Sequence, residues 1–302
     1  MRYNKIILLL CIFFTGRLFA QEPAADTTDL MAQLENEASD KDATNYTSAT
    51  FKTTRLVNGH TVENAAKGVL DVKISHRFGT VNKGAYELFG LDNATMRMGL
   101  DYGVSKRMMV GFGRSTFQKT YDAFVKYKLL RQSSGKRKMP VTVSYVGTIA
   151  LMGMRWADTS RKNYFSSRLS YTHQLIIGSK LSEGISLQLM PTFIHRNLAT
   201  LADEPNDLYA VGAGGRFKLT KRLSFNAEYY YQIPGYKVEG TTNPLSLGFD
   251  IETGGHVFQL HFTNSTGMTE RNFISGTTGK WEKGDVLFGF NISRVFTIGK
   301  NR

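Results

Sequence analysis

The sequence predicts an all-β protein: a closed antiparallel transmembrane β-barrel of about 12 strands, preceded by a short N-terminal periplasmic or plug segment. Three observations predict this fold. Apolar and polar residues alternate with period two from Leu70 nearly to the end of the chain. No stretch beyond the first 20 residues approaches the roughly 18 uninterrupted apolar residues of a membrane-spanning helix. The connections between the alternating segments are short and long in turn.

The period is clearest in YGVSKRMMVGFGRSTFQKTYDAFVKYKLL, residues 102–130, a stretch rich in lysine and arginine. Met108, Val110 and Phe112 share one face there, while Gly111 and Gly113 lie on the other. Side chains that alternate in this way belong to strands rather than to a basic amphipathic helix. We therefore expect two strands, with the basic residues in a lumen or in turns and the apolar residues facing lipid.

About 12 such segments follow one another, each roughly as long as the 9–11 residues that a tilted membrane strand needs. They lie at 70–78, 94–102, 108–113, 122–129, 141–151, 167–177, 185–193, 211–219, 223–231, 245–252, 257–262 and 286–296. Closure of the sheet removes its exposed edges, which a membrane does not tolerate.

The connections distinguish a membrane barrel from a soluble sandwich. Short ones lie at 104–107, 133–140, 179–184, 219–222 and 253–255, and long ones at 80–92, 154–164, 196–207, 234–243 and 264–284. Tight periplasmic turns and longer external loops are typical of bacterial outer-membrane barrels. An even strand number then predicts that both termini are periplasmic.

The N-terminal region divides into two parts before the barrel at residues 68–302. Residues 1–20 have the charged start, apolar stretch and cleavage site of a signal peptide, and the only cysteine, Cys11, lies within them. Residues 21–67 form a periplasmic segment or a plug of the lumen, with a disordered linker as the alternative for 21–45. Asn58 and Gly59 are a tight-turn signal within this segment.

The polar face of the strands places a set of charged side chains in the lumen. The candidate lumen charges are Lys73, Arg97, Asp101, Asp122, Lys126, Lys128, Arg168, Arg216, Glu228 and Asp250. A cation turned toward hydrocarbon near the bilayer midplane costs roughly 2–4 kcal/mol, which favours the inward assignment. The four acidic residues are the expected partners of Arg97, Lys126, Arg168 and Arg216. The nearly balanced charge indicates a bracing network more than a selectivity filter.

A second candidate site lies where four strands meet the outer loops. It comprises His76, Arg77, Asn93, Arg114, Ser115 and Tyr121. These residues form either a binding patch at the outer mouth or a network that clamps the loops.

Several motifs carry a resemblance to a known family. They are ISHRFG at 74–79, LFGLDNAT at 88–95 and GRSTFQKTYDAFVKYKLL at 113–130, with TFKTTRLVNGHTVE upstream. The sequence resembles a family of Bacteroidota outer-membrane β-barrel proteins catalogued as domain of unknown function 5777. The resemblance implies a Gram-negative outer-membrane barrel, but it supplies no activity and no catalytic residue.

No enzymatic site is expected. HFTNSTG at 261–267 is superficially like an outer-membrane phospholipase motif, but Thr263 occupies the nucleophile position and the next two residues are in the wrong order. The six histidines are scattered, so we expect neither a metal nor a cofactor. A hydrolase is the third interpretation of the sequence, after the two below.

The leading interpretation is a porin-like pore or transporter for small solutes with a narrow charged lumen. The alternative is a non-conducting structural or partner-binding barrel with a filled lumen. Residues 68–302 hold 17 acidic and 31 basic residues, and an exported chain rarely meets nucleic acid. We therefore expect outer-membrane lipid and lipopolysaccharide as partners, and the barrel-assembly machinery during biogenesis, with Phe296 as part of its signal.

Overall fold

The computed structural model describes residues 43–160, 162–199, 201, 203–254 and 256–298. The predicted signal peptide at 1–20 and the linker to residue 42 lie outside the described residues. From Thr44 onward the described chain forms one compact unit.

Twelve strands close into an antiparallel barrel, which confirms the predicted fold. They are β2 Val69–Thr80, β3 Ala94–Gly103, β4 Met108–Ser115, β5 Tyr121–Leu130, β7 Thr142–Leu151, β8 Leu169–Lys180, β9 Ile185–Arg196, β10 Asp207–Lys218, β11 Leu223–Gln232, β12 Leu245–Thr253, β13 His256–Thr263 and β14 Leu287–Thr297. Each pairs with its neighbour along the chain, and β14 pairs with β2 to close the ring. A separate two-stranded ladder joins β1 (Thr44–Tyr46) to β6 (Ser133–Gly135).

The two faces of the wall follow the sequence alternation. In β9, Gln188, Met190 and Thr192 are buried, while Leu187 and Leu189 point outward and are exposed. Successive side chains of a strand point to opposite faces, so one face of each strand lines the lumen and the other would meet lipid.

The barrel has two unlike ends. Val69 pairs with Thr297, so the strand series starts and finishes at the end that carries the short connections, which we call the turn end. The opposite loop end carries residues 81–93, 116–120, 152–168, 197–206, 233–244 and 264–286. The connection at 116–120 is the exception to the predicted rule, since it has only five residues. Which end faces the periplasm stays a prediction.

Within the described ranges, no helix combines the length and the apolar character needed to cross a membrane.

Two segments occupy the lumen. Residues 50–66, the hairpin, enter from the turn end and fold back on themselves, with Arg55 bridged to His60 and the Leu56 amide donating to the Gly59 carbonyl at 2.8 Å. The loop at 264–286 enters from the loop end and contains the only α-helix of the described residues, α1 (Glu270–Ser275). Its Phe273 and the hairpin's Leu56 belong to one buried apolar cluster that also includes wall residues.

Candidate functional site

The hairpin tip rests on a single wall carboxylate. The Glu228 carboxylate of β11 accepts hydrogen bonds from three consecutive backbone amides, those of Val57 at 3.3 Å, Asn58 at 3.1 Å and Gly59 at 2.9 Å. The close approach requires a glycine, because a Cβ on Gly59 would lie 2.2 Å from the Tyr230 hydroxyl. Hydrogen bonds to an ionised acceptor are among the stronger ones in proteins, so the wall grips the tip through its backbone.

The other side of the tip is also held by polar wall residues. The Asn58 amide group donates to the Ser246 hydroxyl at 3.1 Å, and its oxygen accepts from the Arg77 guanidinium at 2.9 Å. Asn291 donates to the Val57 carbonyl at 3.0 Å. The tip thus has partners on several strands around the lumen.

Two lysines of β5 bind the hairpin arms. The Lys126 ammonium donates to the carbonyl oxygens of Thr61 at 3.1 Å and Glu63 at 2.5 Å. Lys128 lies 3.4 Å from the Glu63 carboxylate nearer the turn end. Lys126 was expected to have a carboxylate partner, and hairpin carbonyl groups take that place.

Other lumen charges are paired within the wall itself. The Lys73 ammonium binds the carboxylates of Asp71 and of Asp101, the latter at 2.9 Å. Arg97 makes a two-point contact with Asp122, at 2.9 Å from Nε and 2.5 Å from Nη2. All five side chains are buried. These pairs connect β2, β3 and β5, and Lys73 and Asp101 also bond the hydroxyl of Thr54 in the hairpin.

The hairpin and the inner helix α1 meet at Glu270. Its carboxylate accepts from Arg55 at 2.5 Å and lies 3.5 Å from the ring of His60, and both hairpin residues are buried. His60 stacks edge-on against Phe124, with ring centroids 4.5 Å apart. Burial, and then the positive charge of Arg55, hold the pKa of His60 well below its usual range. The ring is therefore neutral at pH 7.

Two predicted lumen charges lie near the turn end without the expected ion pair. Arg216 donates to the Ser224 hydroxyl at 3.0 Å and to the Thr50 carbonyl at 3.4 Å. Asp250 accepts from the Gln259 amide at 2.8 Å. Both are buried, and Arg216 contacts the start of the hairpin instead of a carboxylate.

Arg168 lies at the loop end of the barrel, outside the strand wall to which its sequence position assigned it. Arg168 ends a short 3-10 segment just before β8, at the loop end. Its guanidinium donates to the carbonyls of Met152 and Met154 and lies 4.2 Å from the ring centre of Trp156. Arg168 thus lies on the same side of the chain as the buried Ser170 but beyond the strand, and its partners are loop carbonyls and not the expected carboxylate.

The structure also corrects the predicted outer-mouth patch. His76 stacks outward on Phe290, with ring centroids 5.1 Å apart, and Arg114 lies on the outer face with Tyr121. Arg77 and Ser115 are buried on the lumen side, while Asn93 is exposed and bonds Glu87. Neighbours in a strand face opposite ways, so the six residues cannot converge.

Sequence reasoning missed Arg55, His60 and Glu270 as lumen residues. The Asn58–Gly59 turn signal was the available clue to the hairpin. No comparable signal marked Glu270, since loop residues carry no face assignment. In the described residues, no group of three or more histidine, cysteine, aspartate or glutamate side chains is placed to hold a metal ion.

Comparison with known families gives one match. A profile described as a membrane bound beta barrel domain (DUF5777) matches residues 51–296, which include the hairpin and nearly the whole barrel. A comparison with curated protein sequences gives no significant match.

Solved structures share the barrel shape at low sequence identity. The NanC porin is 10% identical with a TM-score of 0.48, over 76% of this chain and 98% of that one. The KdgM porin is 8% identical with a TM-score of 0.45, over 76% and 99% of the chains. An outer membrane channel from Pseudomonas putida F1 is 12% identical with a TM-score of 0.45, over 78% and 97%. Similarity of this degree carries no information on function.

Proposed function

Because the chain belongs to the membrane bound beta barrel domain family DUF5777, we propose that it is an outer-membrane channel for small solutes, closed by the hairpin. The passage opens when the hairpin withdraws through the turn end. One observation supports this proposal above others: the lumen is filled by a segment that is not part of its wall. Both arms of that segment leave at the turn end, where β1 pairs with β6 and where Asn64 donates to the Arg107 carbonyl.

The wall is suited to stand without the hairpin. Lys73 pairs with its two aspartates and Arg97 pairs with Asp122 inside the wall. Lys73 and Asp101 also bond the Thr54 hydroxyl of the hairpin, a contact that withdrawal would break. Lys126 and Glu228 lose hairpin partners on withdrawal, but entering water can solvate both charges. A polar interior of this kind is typical of barrels that hold water.

The second candidate is a non-conducting barrel in which the hairpin is a permanent core. The number of hydrogen bonds on the tip and the Arg55–Glu270 ion pair favour it. The two candidates differ in whether removal of the hairpin leaves an intact, conducting barrel.

A reversible disulfide between the hairpin and the wall distinguishes the gated channel from the non-conducting barrel. A Cβ on Gly178 of β8 would lie 2.7 Å and 3.2 Å from the two Val62 Cγ atoms. In a disulfide with an S–S bond of about 2.05 Å, the Cβ of one cysteine lies roughly 3 Å from the sulfur of the other. The Gly178 and Val62 positions therefore suit a disulfide. The mature chain has no other cysteine if cleavage follows residue 20. We expect oxidised Val62→Cys/Gly178→Cys protein to carry no current in planar bilayers.

Reduction of the same protein should restore gating, and deletion of residues 44–66 should give a permanently open channel. Val62→Cys alone is the matched control and should not respond to reductant. Heat-modifiable gel migration verifies that each barrel is folded. Absence of current from the folded deletion variant would reject the channel and favour the non-conducting barrel.

A further inference from the structure

A cavity at the loop end lies apart from the hairpin contacts. Its volume is about 350 Å³, and it lies between the loop at 152–168, the start of β8, the end of β9 and the inner helix. Four arginines line it, Arg155, Arg168, Arg196 and Arg271, together with Trp156. Arg155 is exposed and Arg168 half-buried, whereas Arg196 and Arg271 lie deeper, so guanidinium groups at several depths surround one cavity. Their like charges favour an anion between them.

The nearby carboxylates do not balance these charges. Arg196 is paired with Glu204 at 3.2 Å, and Asp158, which also lines the cavity, accepts from the Ser160 amide at 2.9 Å. Among the residues that the structure describes, four arginines against these two carboxylates leave a positive excess. Arg196 is 4% exposed, and its Nε has no hydrogen-bond partner among the described residues.

Arg271 is held in place by neutral oxygens. Its Nη1 donates to the Gln118 side chain at 2.6 Å and to the Asn272 side chain at 3.0 Å. Burial, followed by the charge of Arg196, lowers the pKa of Arg271 to about 10. The guanidinium is thus oriented at the cavity without a carboxylate partner in the described part of the chain.

We propose that this cavity binds a small organic oxyanion, a carboxylate or a phosphate ester. Arginine presents a planar fork of donors that matches both groups. Apolar side chains of Met152, Leu169 and Leu198 line the remainder of the cavity and suit the body of such a solute. This inference rests on the proposed channel function, since it names the solute class for which the cavity would select.

The intrinsic fluorescence of Trp156, which lines the cavity, can be used to measure binding. The chain has two tryptophans, and Trp281 lies elsewhere, with its indole donating to the Leu245 carbonyl at 3.2 Å. In Trp281→Phe protein, Trp156 fluorescence therefore reports on the cavity. We expect a saturable change with succinate and with inorganic phosphate in lipopolysaccharide-free detergent, and none with succinamide, which has a similar shape but no charge.

Arg271→Gln in the same background should weaken succinate binding about tenfold or more, because charge-assisted hydrogen bonds are lost. Arg222→Gln, which removes a charge from the turn between β10 and β11, is the matched control and should bind as before. Equal binding of succinate and succinamide, or no effect of Arg271→Gln, would overturn the proposal. A response to lipopolysaccharide alone would also overturn it and assign the arginines to lipid phosphate.

The binding assay does not depend on conduction. It is run on the oxidised Val62→Cys/Gly178→Cys barrel, in which the lumen is locked. Binding by that protein with no current after reduction would leave the oxyanion site standing and reject the channel. Current after reduction, without succinate binding, would support the channel and reject the oxyanion site.

Discussion

The hairpin and the inner helix α1 fill the same lumen by different means. The hairpin donates hydrogen bonds to Glu228 and accepts them from Lys126 and Arg77. It also buries the apolar side chains of Phe51, Leu56 and Val62. The inner helix buries Phe273 against Tyr230, with ring centroids 5.2 Å apart, and its loop is fixed at both ends by β13 and β14. Both segments are nevertheless buried to a similar degree.

This difference suggests that the hairpin can leave the lumen whereas the inner helix cannot. The hairpin can exchange its polar contacts for water at a small net cost, and both of its arms exit at one end. Its withdrawal also exposes the buried apolar side chains of Phe51, Leu56 and Val62. An apolar anchor loses its burial when it moves, and a loop fixed at both ends cannot withdraw as a unit. We therefore expect changes in the inner helix to weaken the barrel and changes under the hairpin to open it.

The largest effect is expected from Phe273→Ala. Phe273 is fully buried, and truncation of a buried phenylalanine costs about 3–5 kcal/mol. Urea unfolding in lipid vesicles should show this loss in the free energy of unfolding, without increased current. Phe165→Ala, the same change at a side chain 66% exposed, should have little effect. Increased current with unchanged stability would reverse the roles of the two segments.

A smaller effect is expected from Glu228→Gln. The neutral side chain loses the charge that three backbone amides share and brings an NH₂ group toward them, which should cost the closed state about 2–3 kcal/mol. We expect longer openings in single-channel records while heat-modifiable migration is preserved. Glu183→Gln, at an exposed turn, is the control. Loss of the folded barrel would show that the hairpin is a structural core.

The smallest effect is a pH dependence from His60. Its pKa is lowered in the closed state, so the withdrawn hairpin binds the extra proton. Closure is unaffected above about pH 6.5 and weakens as the pH falls below that value, by at most about 1.4 kcal/mol per pH unit. The groups around the ring are Arg55, Lys73, Arg97, Lys126 and Glu270.

Current at constant salt should therefore rise when the pH is lowered from 7 to 5.5. His60→Gln removes the titrating ring and should abolish most of this rise. An equal rise in the variant would assign the pH response to another group.

The strand assignments show which features of the fold could be predicted from the sequence alone. All 12 predicted segments correspond to barrel strands, including the basic stretch at 102–130, because a half-buried strand imposes period two on its residues. The same period places Arg97 and Asp122 on the lumen face, where the structure pairs them. It did not predict the partners of Arg168, which lies before the start of its strand. It also argues against the mouth patch, because the six residues lie on alternate faces of their strands.

The sequence by itself determined a barrel of about 12 strands, the face of each side chain within a strand and the presence of a turn at Asn58–Gly59. The tertiary structure alone decided that this turn lies inside the barrel on Glu228, that Arg55 pairs with Glu270 and that four arginines share one cavity. The physical reason is separation along the chain. Asn58 and Glu228 are 170 residues apart, and periodicity describes only neighbours. Barrel closure and the insertion of two segments from opposite ends bring such distant residues into contact.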